Sequence, residues 1–301
     1  MTPSETQDSV SRSRRSLVVF FAVLALLTAL MQGLIFRTGE DLSNISALYV
    51  LGLMWAPAVA SIVARLALRE GFGDISLRWG GRPGWRSVAI ALTVPLVVGT
   101  TAYGIAWLSG LATWDPPTAD SMPWLPSAAG RFAVRLLLNG SIGVVIGTVF
   151  AAGEELGWRG YMLVRMMDAR LPRPVLLGGI AWGFWHVPLI VSGQYTVARS
   201  IPLAVPLFCA LVVSFAYFFG WLRLRSGSVW PAVFAHAAWN AIIQGVFDRS
   251  TAGESIWVGE AGVLVTLASL AVVWWLVRKP LQSLRAPGLA ADGEPLNMLR
   301  L

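Results

Sequence analysis

Glu154 and Glu155 stand side by side near the end of an apolar run, "RLLLNGSIGVVIGTVFAAGEELGWR", and Arg159 follows four residues after Glu155. The chain has two histidines, His186 in "WGFWHVP" and His236 in "FAHAAWN", with Asn240 four residues beyond the second. Such a set can form a hydrolytic site. A buried glutamate takes a proton from water as general base. One histidine holds that water. The other histidine and the Asn240 amide donate hydrogen bonds to the oxyanion of a tetrahedral intermediate. The residues also permit zinc, with Glu154, His186 and His236 as ligands and a fourth position open for water. That version consumes Glu154 and needs another carboxylate as base. Glu155 is placed poorly for this. It precedes Arg159 by one helical turn in the favourable acid-before-base order, and it is rotated about 100° from Glu154 on the helix wheel. The pair Glu155–Arg159 therefore reads as structural, with Glu154 left to face the histidines. The metal-free arrangement uses every residue of the set.

These side chains lie in segments that belong in a membrane. Of the 301 residues, 56% are hydrophobic and only 13% charged, with a mean hydropathy of +0.65. An ordinary soluble domain carries about 25% charged residues. The net charge of +7 is too dispersed for a nucleic-acid-binding face. The lone Cys209 excludes an intrachain disulfide and a cysteine-based metal site. About eight stretches approach the roughly 20 apolar residues that a membrane helix needs: 16–36, 46–68, 87–110, 134–164, 174–192, 200–222, 228–247 and 256–277. The predicted fold is an all-α polytopic bundle. It has a tail at 1–15, a transmembrane domain at 16–279 with its motifs within about 130–247, and a second tail at 280–301. The first span reads as an uncleaved anchor, since its apolar stretch exceeds a typical signal-peptide core and no A-x-A-like site follows.

Lys and Arg distribute unevenly between alternate connections. Placing both termini in the cytoplasm puts eighteen of the 23 on that side. Arg12, Arg14 and Arg15 are in the first tail, five lie between Arg65 and Arg86, and four between Arg159 and Arg173. Arg223 and Arg225 follow the sixth span, and four more end the chain. Arg37, Arg131, Arg135, Arg199 and Arg249 remain outside. The positive-inside rule then gives N-in, C-in. At about 1.5 Å per residue, Glu154, His186, His236 and Asn240 fall at similar depth, roughly 12 to 20 Å from the cytoplasmic ends of three helices. Asn139, Gln244 and Glu260 are further costly polar groups within spans, and Glu260 reads as solvated or paired rather than catalytic.

The motifs resemble those of the CPBP family, the CAAX-protease and bacteriocin-processing (Abi) membrane proteins. "EELGWR" (Glu154–Arg159) looks like its EExxxR motif, "WGFWH" (Trp182–His186) its FxxxH and "HAAWN" (His236–Asn240) its HxxxN. The resemblance covers roughly 130–247. Trp182 stands where the family usually has phenylalanine, a change expected to affect packing beside His186 and not chemistry. The resemblance implies an intramembrane endopeptidase with a cavity open to the cytoplasm, acting on a membrane-associated protein or peptide. Glu154 and His186 would activate water, and His236 and Asn240 would form the oxyanion hole. No cofactor is expected, with Zn2+ as the alternative. Two other functions compete: a proton-coupled transporter, for which intramembrane Glu, His and Arg are suitable groups, and a non-catalytic membrane scaffold. The transporter is disfavoured because the polar groups cluster at one depth without an inverted repeat.

Overall fold

The computed structural model describes residues 3–196, 201–253, 255–278 and Met298. Helix α1 runs from Pro3–Thr38, α2 from Ala47–Ala67 and α3 from Gly81–Ser109. A continuous helical run then comprises α4 (Ala128–Leu138), α5 (Val144–Gly157) and α6 (Leu163–Asp168). Wider π turns at Asn139–Gly143 and Trp158–Met162 join its pieces. Helices α7 (Pro174–Val191), α8 (Ile201–Ser226) and α9 (Trp230–Trp239) follow, and α9 continues as a π-helical segment, Asn240–Phe247. Helix α10 spans Val263–Val277. Among the described residues the only strands are β1 (Thr113–Trp114) and β2 (Thr251–Ala252), paired antiparallel.

Each of the eight predicted spans contains a helix. Six helices are long and apolar enough to cross a bilayer. The seventh falls short in hydropathy because His236, Asn240 and Gln244 are on it. The eighth is a 15-residue helix, about 22 Å long. Two predicted boundaries shift. Helix α1 starts at Pro3, so the helix of the first span begins within the predicted tail. The fourth span runs from Ala128 to Asp168. Glu260, expected to be solvated or paired, is the latter: it lies in the turn before α10, buried, and accepts from the Tyr195 hydroxyl. The tail predicted at 280–301 lies outside the described residues except for Met298, which is buried beside Gly220.

Large apolar side chains face outward, among them Leu26, Leu66, Leu108, Leu137, Val145 and Phe184. In a lipid environment these have no drive to pack against other helices, so close approach depends on small residues. Gly153 and Gly157 seat α5 directly against Met54–Pro57 of α2. A Cβ on Gly153 would lie 2.6 Å from the Met54 carbonyl oxygen, and one on Gly157 2.4 Å from Pro57 Cβ. Gly179 and Gly183 likewise bring α7 onto Val213 and Cys209 of α8. Trp55 donates its indole N–H to the Val149 carbonyl at 2.9 Å, pinning α2 to α5 a second way.

The two ends of the bundle differ. At the end carrying the N-terminus of α1 and the α2–α3 and α8–α9 connections, an ion network crosses between helices. Arg65 meets Asp74 at 2.6 Å, and Arg165 meets Asp74 at 2.6 Å and Glu70 at 3.2 Å. Ser16 and Tyr161 donate to Glu70, and Arg223 donates to the Asp74 carbonyl at 2.9 Å. At the opposite end the elements are joined by hydrogen bonds. Leu42 N–H donates to the Gln194 carbonyl at 2.8 Å, and Thr196 to Asp41 at 3.1 Å.

Candidate active site

Three helices bring the motif residues to one cavity of about 730 Å³, whose lining includes Glu154, His186, His236 and Asn240. Glu154 comes from the last turn of α5, His186 from α7, and His236 and Asn240 from one face of α9 and its π-helical extension. Arg159 and Asn240 both sit in π turns. A π turn adds a residue to the helical turn and re-aims the side chains around it, a device found often at functional sites.

Glu154 is buried at 2% exposure. Its Oε2 accepts two indole N–H groups, from Trp182 at 2.7 Å and Trp158 at 3.2 Å. Its Oε1 lies 4.0 Å from His236 Nε2. One carboxylate oxygen is thus held, and the other is left on the histidine side. Trp182 therefore does more than pack. The expectation that a tryptophan in place of phenylalanine affects only packing is extended: a phenyl ring has no N–H to offer, and the indole places one on Glu154.

Glu155 lies deeper and does not line the cavity. Its Oε1 accepts from Arg159 at 3.0 Å and from His236 Nδ1 at 2.9 Å. The ion pair read from the spacing is present, and Glu155 has a second partner that the spacing did not reveal. A carboxylate oxygen only accepts here, so His236 carries its proton on Nδ1. For Nε2 to donate as well, the ring must be an imidazolium, with Glu155 as counter-charge. Arg159 is boxed in by aromatic faces, 4.2 Å from the Trp182 ring centroid and 5.0 Å from that of Phe219. His236 packs against the same two rings.

His186 Nδ1 is 2.9 Å from the Trp182 carbonyl oxygen. That oxygen can only accept, so Nδ1 bears the proton and Nε2 of the neutral ring is an acceptor. Trp185 at 4.7 Å and Phe208 at 4.9 Å fix the ring edge-on. Trp182 thus touches Glu154 through its indole and His186 through its backbone.

Among the described residues no three His, Cys, Asp or Glu side chains converge as an assembled metal-binding group. His236 and His186 each engage an oxygen through Nδ1 and keep Nε2 toward the cavity, and Glu154 keeps Oε1, so these hydrogen bonds serve the metal-free and the zinc arrangement alike.

The sequence reading did not anticipate how far the cavity extends. From the motif residues it continues past Tyr195, Gln244 and Glu260 to Asp41–Asn44, Thr196, Asp248 and Arg249. Gln244 carries a legible signal, since it follows Asn240 by four residues on one helix face. Its amide donates to the Tyr195 hydroxyl at 3.4 Å. The exposed lining residues, Ser43, Asn44, Thr196 and Arg249, all belong to the end opposite the arginine-rich connections.

Residues 135–242, the stretch holding all three motifs, match the family model described as Type II CAAX prenyl endopeptidase Rce1-like. That agrees with the CPBP resemblance of the motifs and with an intramembrane endopeptidase of CAAX-protease type. No individually curated protein matches the chain.

Proposed function

We propose that the chain is a multi-pass cell-membrane endopeptidase that cuts an apolar peptide segment with water activated by Glu154 and without a metal. The observation that carries this reading is the asymmetric hold on Glu154. Two indole N–H groups engage Oε2, while Oε1 remains beside His236 at the cavity wall. A carboxylate held in that way presents one basic oxygen in a fixed direction, which is the preorganisation a general base needs.

In this mechanism a water sits between Glu154 Oε1 and His186 Nε2, which accepts its second hydrogen. Glu154 takes a proton as the water oxygen attacks the scissile carbonyl carbon. The carbonyl oxygen, now an oxyanion, accepts from the Asn240 amide and from His236 Nε2, whose imidazolium form Glu155 compensates. The C–N bond then breaks as Glu154 returns the proton to the leaving amine. Water adds across the peptide bond, and Glu154 ends as it began. The walls suit an apolar segment, with Leu53, Met54, Phe208, Phe215 and Phe219 facing the cavity.

The test is peptide hydrolysis by purified protein and its Glu154→Gln variant. The amide is nearly isosteric but accepts no proton near pH 7, so turnover should vanish while the folded protein is recovered in the same yield. Asn240→Ala should lower turnover on the order of a hundredfold, as removal of an oxyanion donor does elsewhere. Wild-type turnover in Glu154→Gln would overturn the assignment. Comparing prenylated with unmodified peptides then decides whether a lipid chain is part of the substrate.

A further inference from the structure

We infer that the cavity opens on the non-cytoplasmic face of the membrane, so that its substrate is a peptide segment presented from that face. The inference rests on reading the cavity as the proteolytic site. It is carried by three observations made at the two ends of the bundle.

First, the ends differ in cationic charge. Ten arginines lie in or beside the connections at the ion-network end: five between Arg65 and Arg86, three between Arg165 and Arg173, and Arg223 with Arg225. Ser16, one residue past Arg15, is bonded to Glu70 and so places the arginine-containing start of α1 at that same end. The opposite end keeps Arg37, Arg131, Arg135 and Arg249 among the described residues. Lys and Arg in short connections near helix ends are retained in the cytoplasm, and these connections are short.

Second, the ion-network end is closed. Arg65, Arg165 and Arg223 are buried, and their partners Glu70 and Asp74 tie α1, α2, α6 and α8 together there. None of these residues lines the cavity. Third, the exposed residues on the cavity wall come from the other end, from Ser43 and Asn44 between α1 and α2, Thr196 after α7, and Arg249 after the π-helical segment.

On α7 and α9, His186 and Asn240 are nearer the far ends of their helices, five residues from Val191 and seven from Phe247, and only His236 is nearer the cytoplasmic end. His236 is six residues from the start of α9, about 9 Å of rise. A cytosolic peptide would meet the ion network. A segment that has crossed the membrane, or emerges from its outer half, meets Asp41, Asn44 and Asp248 at the mouth and the aromatic walls below. The substrate class is therefore an exported or membrane-inserted peptide segment.

The experiment uses the full chain with Cys209 replaced by alanine and one new cysteine. Asn44→Cys marks the mouth. Gly73→Cys marks the closed end, where a Cβ has open space around it. A membrane-impermeant maleimide applied to intact cells should label the Asn44→Cys protein and should label the Gly73→Cys protein only after permeabilisation. The reverse pattern overturns the inference. In parallel, right-side-out and inside-out vesicles receive a membrane-impermeant pool of internally quenched peptides with apolar centres. Hydrolysis should occur in the right-side-out vesicles and disappear with Glu154→Gln. Hydrolysis confined to inside-out vesicles overturns the inference even if proteolysis stands. Outside labelling of Asn44→Cys without hydrolysis in either vesicle supports the side of access and counts against the proteolytic reading.

Discussion

The indole N–H of Trp182 donates to Glu154 Oε2 across 2.7 Å, and the carbonyl of the same residue accepts from His186 Nδ1 at 2.9 Å. One residue of α7 therefore sets the orientation of the base and of the histidine assigned to the water. A hydrogen bond to a charged group contributes about 1.5–3 kcal/mol, and position matters as much as strength in a reacting pair. Trp182→Phe keeps a ring under Arg159 and removes only the donor. Turnover should drop about tenfold or more, with KM changed less than about twofold, by the same estimate. Steady-state kinetics on the purified variant checks this. A rise in KM at constant kcat would assign Trp182 to substrate binding.

Glu155 serves Arg159 and His236 through one oxygen, so its loss should be felt in stability and in catalysis, and the two can be separated. Glu155→Leu alone strands Arg159, a buried cation, at a cost of about 3–5 kcal/mol. Adding Arg159→Met replaces the ion pair with apolar groups and should restore most of that stability, since such replacements are often neutral. Turnover should stay low in the double variant because His236 has lost the acceptor on Nδ1. Thermal unfolding in detergent, measured beside peptide hydrolysis, separates the outcomes. Recovery of both properties would return Glu155 to a purely structural role.

For the metal, the expected outcome is activity independent of zinc. Prolonged treatment with a membrane-compatible chelator should leave turnover intact, with bound zinc by elemental analysis well below one ion per chain. The alternative predicts activity that falls in step with lost zinc and returns on adding zinc alone. That result would make Glu154 a ligand and would remove it as the base.

Gly153 offers a test that touches no reacting group. Gly153→Ala places a Cβ 2.6 Å from the Met54 carbonyl and 2.7 Å from Trp55 Cα, both backbone atoms with little room to yield. Overpacking of this kind costs roughly 1–3 kcal/mol. The variant should unfold at lower temperature and lose turnover, because α5 and its adjacent Glu154 move away from α7 and α9. Unchanged stability would mean that α2 yields to the added methyl group.

Much of this was legible in the chain itself. Glu154, His186, His236 and Asn240 stood out because polar groups are costly in apolar helices, and helical rise placed them at one depth. The Glu155–Arg159 pair followed from i,i+4 spacing. What escaped were relationships that spacing along one helix cannot report. His236 is 81 residues from Glu155, so its hydrogen bond to that carboxylate has no local signature. Trp182 read as an aromatic like any other, since hydropathy patterns do not register an indole N–H. The π turns at Trp158–Met162 and Asn240–Phe247 have no compositional mark. The direction in which the cavity opens was hidden for another reason: charge counts assign sides to connections, and only packing tells which end of a bundle is plugged.

The contact of Gly153 and Gly157 with Met54–Pro57 makes the backbone beneath Glu154 depend on α2, whatever the indoles do for its carboxylate. Its height and tilt are dictated by the main chain of α2, a helix that contributes no acid, base or oxyanion donor and lies outside residues 135–242. Drift in that neighbour can silence the enzyme while every motif stays intact, and a matched drift can retune it. Two chains with identical motifs need not share an activity. The segment to compare first between them is the one with no chemistry in it.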